Sequence, residues 1–185
     1  MALSLDDIRQ LFERGGQAQY SGEPVTQLEH ALQSAWLAEQ EGADDELVTA
    51  ALLHDLGHLL NDQGETPTLR GIDDRHQYFA LPFLRGLFPQ RVLDAIRWHV
   101  DAKRYLCATR PGYRAALSQD SQRSLALQGG VFPPEAAQAF IERPHAGDAV
   151  RLRLWDDRAK QAGLATPGLD HYLARARRCA LADAA

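Results

Sequence analysis

Five of the seven histidines of this 185-residue chain fall in one ordered series: His30, His54 followed directly by Asp55, His58, His76 and His99, with Asp156 far downstream. Neutral imidazoles and carboxylates spread over separate helical segments are the donors that hold two transition-metal ions once the segments fold together. A fold that uses the series must therefore bring residues 30, 54, 55, 76, 99 and 156 to one interior point.

The segments between those residues read as helices. Ser4 can cap a first helix with Asp7 at its third position, ending at Gly15-Gly16. After the loop AQYSGEPV, Thr26 and Glu29 form a capping box, and Leu28, Ala31, Leu32, Ala35, Trp36 and Ala38 run at helical period to Gly42. Asp44 or Asp45 opens a third helix whose apolar run leads into His54-Asp55-Leu56-Gly57-His58-Leu59-Leu60. Residues 61 to 74 read as a loop. A fourth helix carries His76 and Tyr78 and breaks at Pro82; Pro89 starts a fifth, with His99 and Lys103 four residues apart on one face. Ser118 to Leu127, Pro134 to Ile141, Asp148 to Gln161 and Leu169 to Leu181 complete the set. No stretch alternates at period two. The expectation is an all-α fold, one helical bundle spanning residues 1 to 185.

Composition narrows the function classes. A net charge of -5 leaves no basic face broad enough for nucleic acid, although Arg97, Lys103, Arg104 and Arg110 cluster locally and suit a small anion. No apolar run approaches the roughly 20 residues of a bilayer span, and the N-terminus lacks the regions of a signal peptide, so a cytoplasmic location without membrane contact is expected. No protein partner is evident. Cys107 and Cys179 lack any CxxC spacing and read as incidental thiols.

Read from residues alone, His54 and Asp55 diverge by about 100° on a helix, so one metal can take both while the second carboxylate oxygen reaches a neighbouring ion. His58, one turn beyond His54, reads as a donor to substrate or ligand rather than to metal. At positions 156 and 157 either aspartate could serve. His145 and His171 read as ordinary hydrogen-bonded histidines.

The order H…HD…D, with the added His76 and His99, resembles the HD-domain superfamily and within it the mixed-valent diiron oxygenases of the PhnZ/TmpB type, which cleave C-P bonds. The resemblance covers nearly the whole chain. It rests on Tyr20-Ser21-Gly22-Glu23, Gln27-Leu28-Glu29-His30, Gly42-Ala43-Asp44, residues 50 to 58, residues 99 to 106 (HVDAKRYL), Gln128-Gly129-Gly130, Trp155-Asp156 and Pro167-Gly168.

That resemblance implies an HD-type bundle in which His30, His54, Asp55 and Asp156 hold one iron, and His76, His99 and the shared Asp55 hold the other. It implies an Fe(II)/Fe(III) pair with O2 as co-substrate. It places His58, Lys103, Ser121, Ser124, Gln128 and Arg153 at the phosphonate, with Tyr20 and Glu23 gating the site. Tyr20, Glu23, His58 and Lys103 are the expected catalytic set. Asp73 and Asp74, before His76, could face a cationic substrate end, with Tyr78, Trp98 and Phe132 as candidate aromatics. The expected substrate is an organophosphonate of the 1-hydroxy-2-(trimethylammonio)ethylphosphonate type, giving glycine betaine and phosphate. The near neighbour is 2-amino-1-hydroxyethylphosphonate, giving glycine; the rival chemistry is metal-dependent phosphohydrolysis on the same core.

Overall fold

The computed structural model describes residues 2–20, 22–61, 67–71 and 75–182. Among them the regular structure is helical: α1 (Leu5–Gly15), α2 (Gln27–Gln40), α3 (Asp45–Leu53), α4 (Leu56–Leu60), a 3-10 turn (Pro67–Arg70), α5 (His76–Phe79), α6 (Leu81–Leu84), α7 (Gln90–Thr109), α8 (Tyr113–Ala116), α9 (Gln119–Leu127), α10 (Pro134–Ile141), α11 (Ala146–Arg158) and α12 (Leu169–Cys179). Extended pairing among these residues is confined to two isolated bridges, Gln19 with Thr26 and Arg85 with Phe88. The fold is all-α.

Local chemistry sets the helix starts. The capping boxes form as expected: Ser4 and Thr26 accept from the backbone N–H groups of Asp7 and Glu29, whose carboxylates reach back to the cap N–H groups. Asp44 caps α3 through the N–H of Leu47, and Ser118 caps α9 through that of Ser121.

Every residue of α3 from Leu47 to Leu53 is buried, so this helix is the axis of the bundle. α2, α7 and α12 pack around it, and α11 lies along α7. Leu47, Leu52, Leu53, Leu84, Phe88, Ile96, Trp155 and Tyr172 form its apolar core, and each large side chain removed from water contributes about 1.5–3 kcal/mol. Trp155 satisfies its indole N–H on Glu41 Oε2 at 2.8 Å. Arg175 bridges Asp45 and Glu39, tying α12 to α3 and α2.

Three expectations need correction. The segment 45 to 60 is not one helix: α3 stops at Leu53, and Asp55, at φ −104° and ψ 12°, starts the short α4. The sequence reads through because neither His54 nor Asp55 is a helix breaker; at the stop the His54 Nδ1 donates to the Ala51 carbonyl and both side chains are buried. The fourth helix is two short ones, with Pro82 entering the first turn of α6, where its missing N–H costs nothing. α11 starts at Ala146 behind a left-handed His145 and ends at Arg158, and a single-turn α8 precedes α9. No helix of the described residues is long and apolar enough to cross a membrane.

Candidate metal centre

The α3 stop delivers His54 and Asp55 into the space between α2, α5, α7 and α11. His30 comes from α2, His76 from the first residue of α5, His99 from the middle of α7 and Asp156 from the last turn of α11. His30, His54 and His99 are at most 1% exposed, Asp55 7% and Asp156 2%.

Three of the imidazoles are oriented by backbone carbonyls. Nδ1 of His30 lies 2.7 Å from the Ala159 oxygen, Nδ1 of His54 2.8 Å from that of Ala51 and Nδ1 of His99 2.7 Å from that of Ile96. A carbonyl only accepts, so each Nδ1 carries a proton and each ring turns its Nε2, the metal-ligating atom, inward. The Nε2 atoms converge in two pairs: His30 Nε2 is 3.2 Å from His54 Nε2, and His76 Nε2 is 3.1 Å from His99 Nε2. When both rings are neutral, the His30–His54 contact sets lone pair against lone pair and is relieved by a cation between them.

The two Asp55 oxygens divide between the pairs. Oδ2 lies 3.5 Å from His30 Nε2 and 3.4 Å from His54 Nε2; Oδ1 lies 3.2 Å from His76 Nε2 and 3.7 Å from His99 Nε2. Asp156 approaches the first pair from α11, with Oδ1 3.4 Å from His30 Nε2 and Oδ2 3.9 Å from His54 Nε2. Asp55 Oδ2 and Asp156 Oδ1 are buried without hydrogen-bond partners. Two triads, His30-His54-Asp55 and Asp55-His76-His99, thus each converge tightly enough to hold one metal ion, sharing one carboxylate. Orphaned anionic oxygens beside converging imidazole nitrogens are the donor arrangement a cation pair fits.

The electrostatics favour charged carboxylates, and against the downward pull of burial Asp55 pushes the His54 imidazole up. Burial pushes the Asp55 carboxyl up, but His54 and His76 outweigh it and hold it well below the usual range. Burial acts likewise on Asp156 and is outweighed by Arg153 and His30. His99 is pushed well below its ordinary value by burial and by His54 and His76, which keeps it a neutral donor. Of the two aspartates left open by the sequence, Asp156 faces the histidines. Asp157 turns away to the Tyr113 hydroxyl and to Arg153 Nη2.

His58 belongs to neither triad. Its ring stacks on His76 at 4.3 Å and meets Tyr20 edge-on at 6.4 Å, on the side of the cavity where Tyr20 stacks flat on His30 at 3.9 Å. The Tyr20 phenol is pushed well above its ordinary value by burial and by Asp55. Next to the triads is a cationic patch. Lys103 Nζ lies 2.8 Å from Ser124 Oγ, and Arg153 reaches Asp156 Oδ2 at 2.9 Å and Ser121 Oγ at 3.4 Å. Gln128 ends α9 with its Oε1 buried and unpartnered, and the following Gly129 and Gly130 carbonyls accept from Arg104 at 3.1 and 2.8 Å.

Two of the aromatic candidates are taken by arginines. Trp98 lies between Arg97 and Arg143, whose guanidinium carbons are 4.3 and 4.7 Å from its ring centroid, and Phe132 lies 4.1 Å from that of Arg104. Tyr78 stands exposed with Arg97 at 5.9 Å. Asp73 and Asp74 fall outside the described residues. His145 pairs with Asp94 and His171 with Glu39, each at 2.9 Å. Sequence reasoning missed Lys160, which lies 3.0 Å from Glu23 Oε1. Its position four residues after Asp156 was the available signal.

A family model of the HD domain matches residues 27–137, which contain the four histidines of the triads and Asp55. The chain belongs to the HD-domain family. Curated relatives include [1-hydroxy-2-(trimethylamino)ethyl]phosphonate dioxygenase (glycine-betaine-forming) of Leisingera caerulea, 40% identical over 88% of this chain and 83% of its own length. Hydroxymethylphosphonate dioxygenase of Gimesia maris is 43% identical over 92% of this chain and 85% of its own. An uncharacterized protein of Acanthamoeba polyphaga mimivirus is 33% identical over 91% and 78%.

Proposed function

We propose that this chain, as one HD-type unit over residues 1 to 185, is a diiron oxygenase that uses O2 to cleave the C-P bond of a 1-hydroxyphosphonate. The substrate proposed is 1-hydroxy-2-(trimethylammonio)ethylphosphonate, giving glycine betaine and phosphate. The observation that carries the reading is the pair of His/Asp triads sharing Asp55 with a buried cationic patch beside them. A hydroxyphosphonate presents a phosphonate dianion and an adjacent C-OH, which this pairing of metal donors and fixed cations is built to receive. The reaction balances without another reductant: substrate and O2 become carboxylate, hydrogen phosphate and one proton.

In this reading His30, His54, Asp55 and Asp156 hold one iron, and Asp55, His76 and His99 the other. Bound as a mixed-valent Fe(II)/Fe(III) pair, the irons supply Lewis acidity toward the substrate oxygens and the electrons that activate O2. Lys103, Ser121, Ser124, Gln128, Arg153 and His58 bind and orient the phosphonate, so that C1 is presented to the metal pair in one pose. Tyr20, stacked on His30, covers the site and excludes water until substrate arrives. Glu23 holds that loop in place.

The Gimesia maris relative favours a second reading, hydroxymethylphosphonate as substrate. Engagement of Trp98 and Phe132 by arginines removes both from an ammonium-binding role and is compatible with it. The test is turnover of the trimethylammonio, the amino and the unsubstituted 1-hydroxyphosphonates by iron-loaded protein under air, scored by released phosphate. Release that requires both Fe and O2 is expected, fastest with the trimethylammonio compound. Equal rates on all three would end the ammonium selectivity, and anaerobic release from a phosphate ester would replace oxygenation by hydrolysis.

Lys103 adds a pH dependence. Burial and then Arg153 lower its ammonium to about 7; Asp156 and Asp157 act in the opposite sense and Lys160 in the same one, while Ser121 and Ser124 complete its surroundings. A bound phosphonate dianion favours the charged form, so the complex holds more protons than the free protein above pH 7 and affinity falls there as pH rises. Calorimetry in buffers of different ionisation enthalpy is expected to show uptake of about one proton per phosphonate near pH 8.5. Lys103→Met should bind without that uptake; uptake unchanged in the variant would remove Lys103 from the contact.

A further inference from the structure

Lys160 is the cation next to the site that the assignment above leaves without a role. The backbone on either side of it is pinned: the Ala159 carbonyl accepts from His30 Nδ1, while Gln161 N–H donates to Gln33 Oε1 at 3.0 Å and its carbonyl accepts from Gln33 Nε2 at 2.8 Å. The side chain is thereby aimed at the start of α9. There Nζ lies 3.4 Å from Ser118 Oγ and 3.5 Å from Ser121 Oγ, the latter hydroxyl also contacted by Arg153. It also lies 5.8 Å from the centroid of the Tyr20 ring.

This placement favours an anion at Lys160. The N-terminus of a nine-residue helix carries positive partial charge, and Lys160 beside it shares the Ser121 hydroxyl with Arg153; Asp120 in the first turn and the Asp156 and Asp157 partners of Arg153 offset part of that charge. The anion that meets Lys160 is the Glu23 carboxylate at 3.0 Å, and this pair is nearly out of water, with side-chain exposures of 12% and 11%. Glu23 sits on the same loop as Tyr20: its N–H donates to the Tyr20 carbonyl at 2.9 Å, and Tyr20 N–H to that of Val25 at 2.9 Å. The ion pair therefore fastens Glu23 to the segment that follows α11, and Lys160 in turn touches the start of α9 through Ser118 and Ser121.

We propose that Lys160 is a further phosphonate-binding residue whose ammonium is held by Glu23 until an anion displaces the carboxylate, so that phosphonate binding itself unfastens the loop carrying Tyr20. The proposal deepens the function proposed above and rests on its placement of the phosphonate beside Ser121 and Arg153. A monovalent carboxylate is the weaker partner for this patch. A phosphonate dianion can take Lys160, the Ser121 hydroxyl and the α9 N-terminus together, which a carboxylate anchored on its own loop does not do.

The test uses methylphosphonate, which lacks the 1-hydroxyl and is a binding probe only. Titrated into the iron-loaded protein, it should bind Lys160→Met about tenfold more weakly than wild type and Lys160→Arg within about threefold, as expected when a charge-assisted hydrogen bond is lost or kept. Glu23→Gln should bind about three- to tenfold more tightly, and that gain should vanish in the double variant Glu23→Gln/Lys160→Met, the signature of coupled residues. Hydrogen exchange of the Tyr20 and Glu23 amides should accelerate on adding methylphosphonate to wild type and already be fast in Glu23→Gln. Wild-type affinity in Lys160→Met, or a Glu23→Gln gain that survives without Lys160, overturns the proposal. Absence of O2-dependent phosphate release by wild type would sink the oxygenase reading alone, since the binding cycle does not depend on turnover.

Discussion

Asp55→Asn is expected to abolish C-P cleavage, to at most about one thousandth of the wild-type rate, and to leave the protein unable to retain either iron. The reason lies in how its oxygens are shared. Oδ2 faces His30 and His54, Oδ1 faces His76 and His99, and Oδ2 has no hydrogen-bond partner. An amide keeps the size but loses the charge, and it turns an NH2 toward imidazole nitrogens already supplied with their Nδ1 protons. No other side chain is common to both triads. Loss of activity alone would not separate this from misfolding, so the measurement is thermal. Metal that binds only the folded state at 1,000 times its Kd adds about 4 kcal/mol, or about 8–16 °C for a domain of this size. Wild type should show such a rise on iron loading; the variant should unfold cooperatively, with helical circular dichroism intact and no rise. Two irons per chain in Asp55→Asn would refute the shared-carboxylate arrangement.

The helices and most of the donor series were legible because both rest on local rules. Capping boxes at Ser4 and Thr26 and the apolar period of α2 and α3 are written in neighbouring residues. The histidine spacing puts its residues on several helices, and the fold brings them together. What the sequence withheld depends on residues distant along the chain. Asp156 and Asp157 differ by one position, and the choice between them is made by Tyr113, 44 residues from Asp157, together with Arg153. The break at His54 and Asp55, between α3 and α4, is not written in AALLHDLGHLL, where neither of those two residues is a helix breaker. Trp98 and Phe132 read as free aromatic faces, yet arginines cover them, and for Phe132 the guanidinium comes from 28 positions earlier on α7. Lys160 falls within the helix expected to Gln161, four residues after Asp156, but lies past the observed end of α11, so its direction is set by the bonds of Ala159 and Gln161.

Gly57→Ala is expected to remove one metal and spare the other. Gly57 permits a close approach of two backbones: a Cβ there would fall 2.1 Å from the His76 carbonyl oxygen and 2.8 Å from its Cα. The obstacle is backbone, so the start of α5 must move by about an ångström to reach ordinary contact. His76 leads α5 and has Nε2 3.2 Å from Asp55 Oδ1 and 3.1 Å from His99 Nε2, so any such shift is passed directly to the second triad. His30, His54 and Asp156 stand on α2, the end of α3 and α11, none of which meets that clash. Iron content should fall from about two per chain toward one, with loss of the half-integer-spin electron paramagnetic resonance signal of a mixed-valent pair and at least a hundredfold loss of phosphate release, as for a misplaced catalytic centre. Gly147→Ala is the control: it lies on α11 with nothing within 4 Å of an added Cβ, and a helical alanine there should raise stability by about 0.5–1 kcal/mol. A Gly57→Ala protein that keeps both irons and the signal would show that α5 yields without carrying His76 with it, and would separate the glycine from the metal centre.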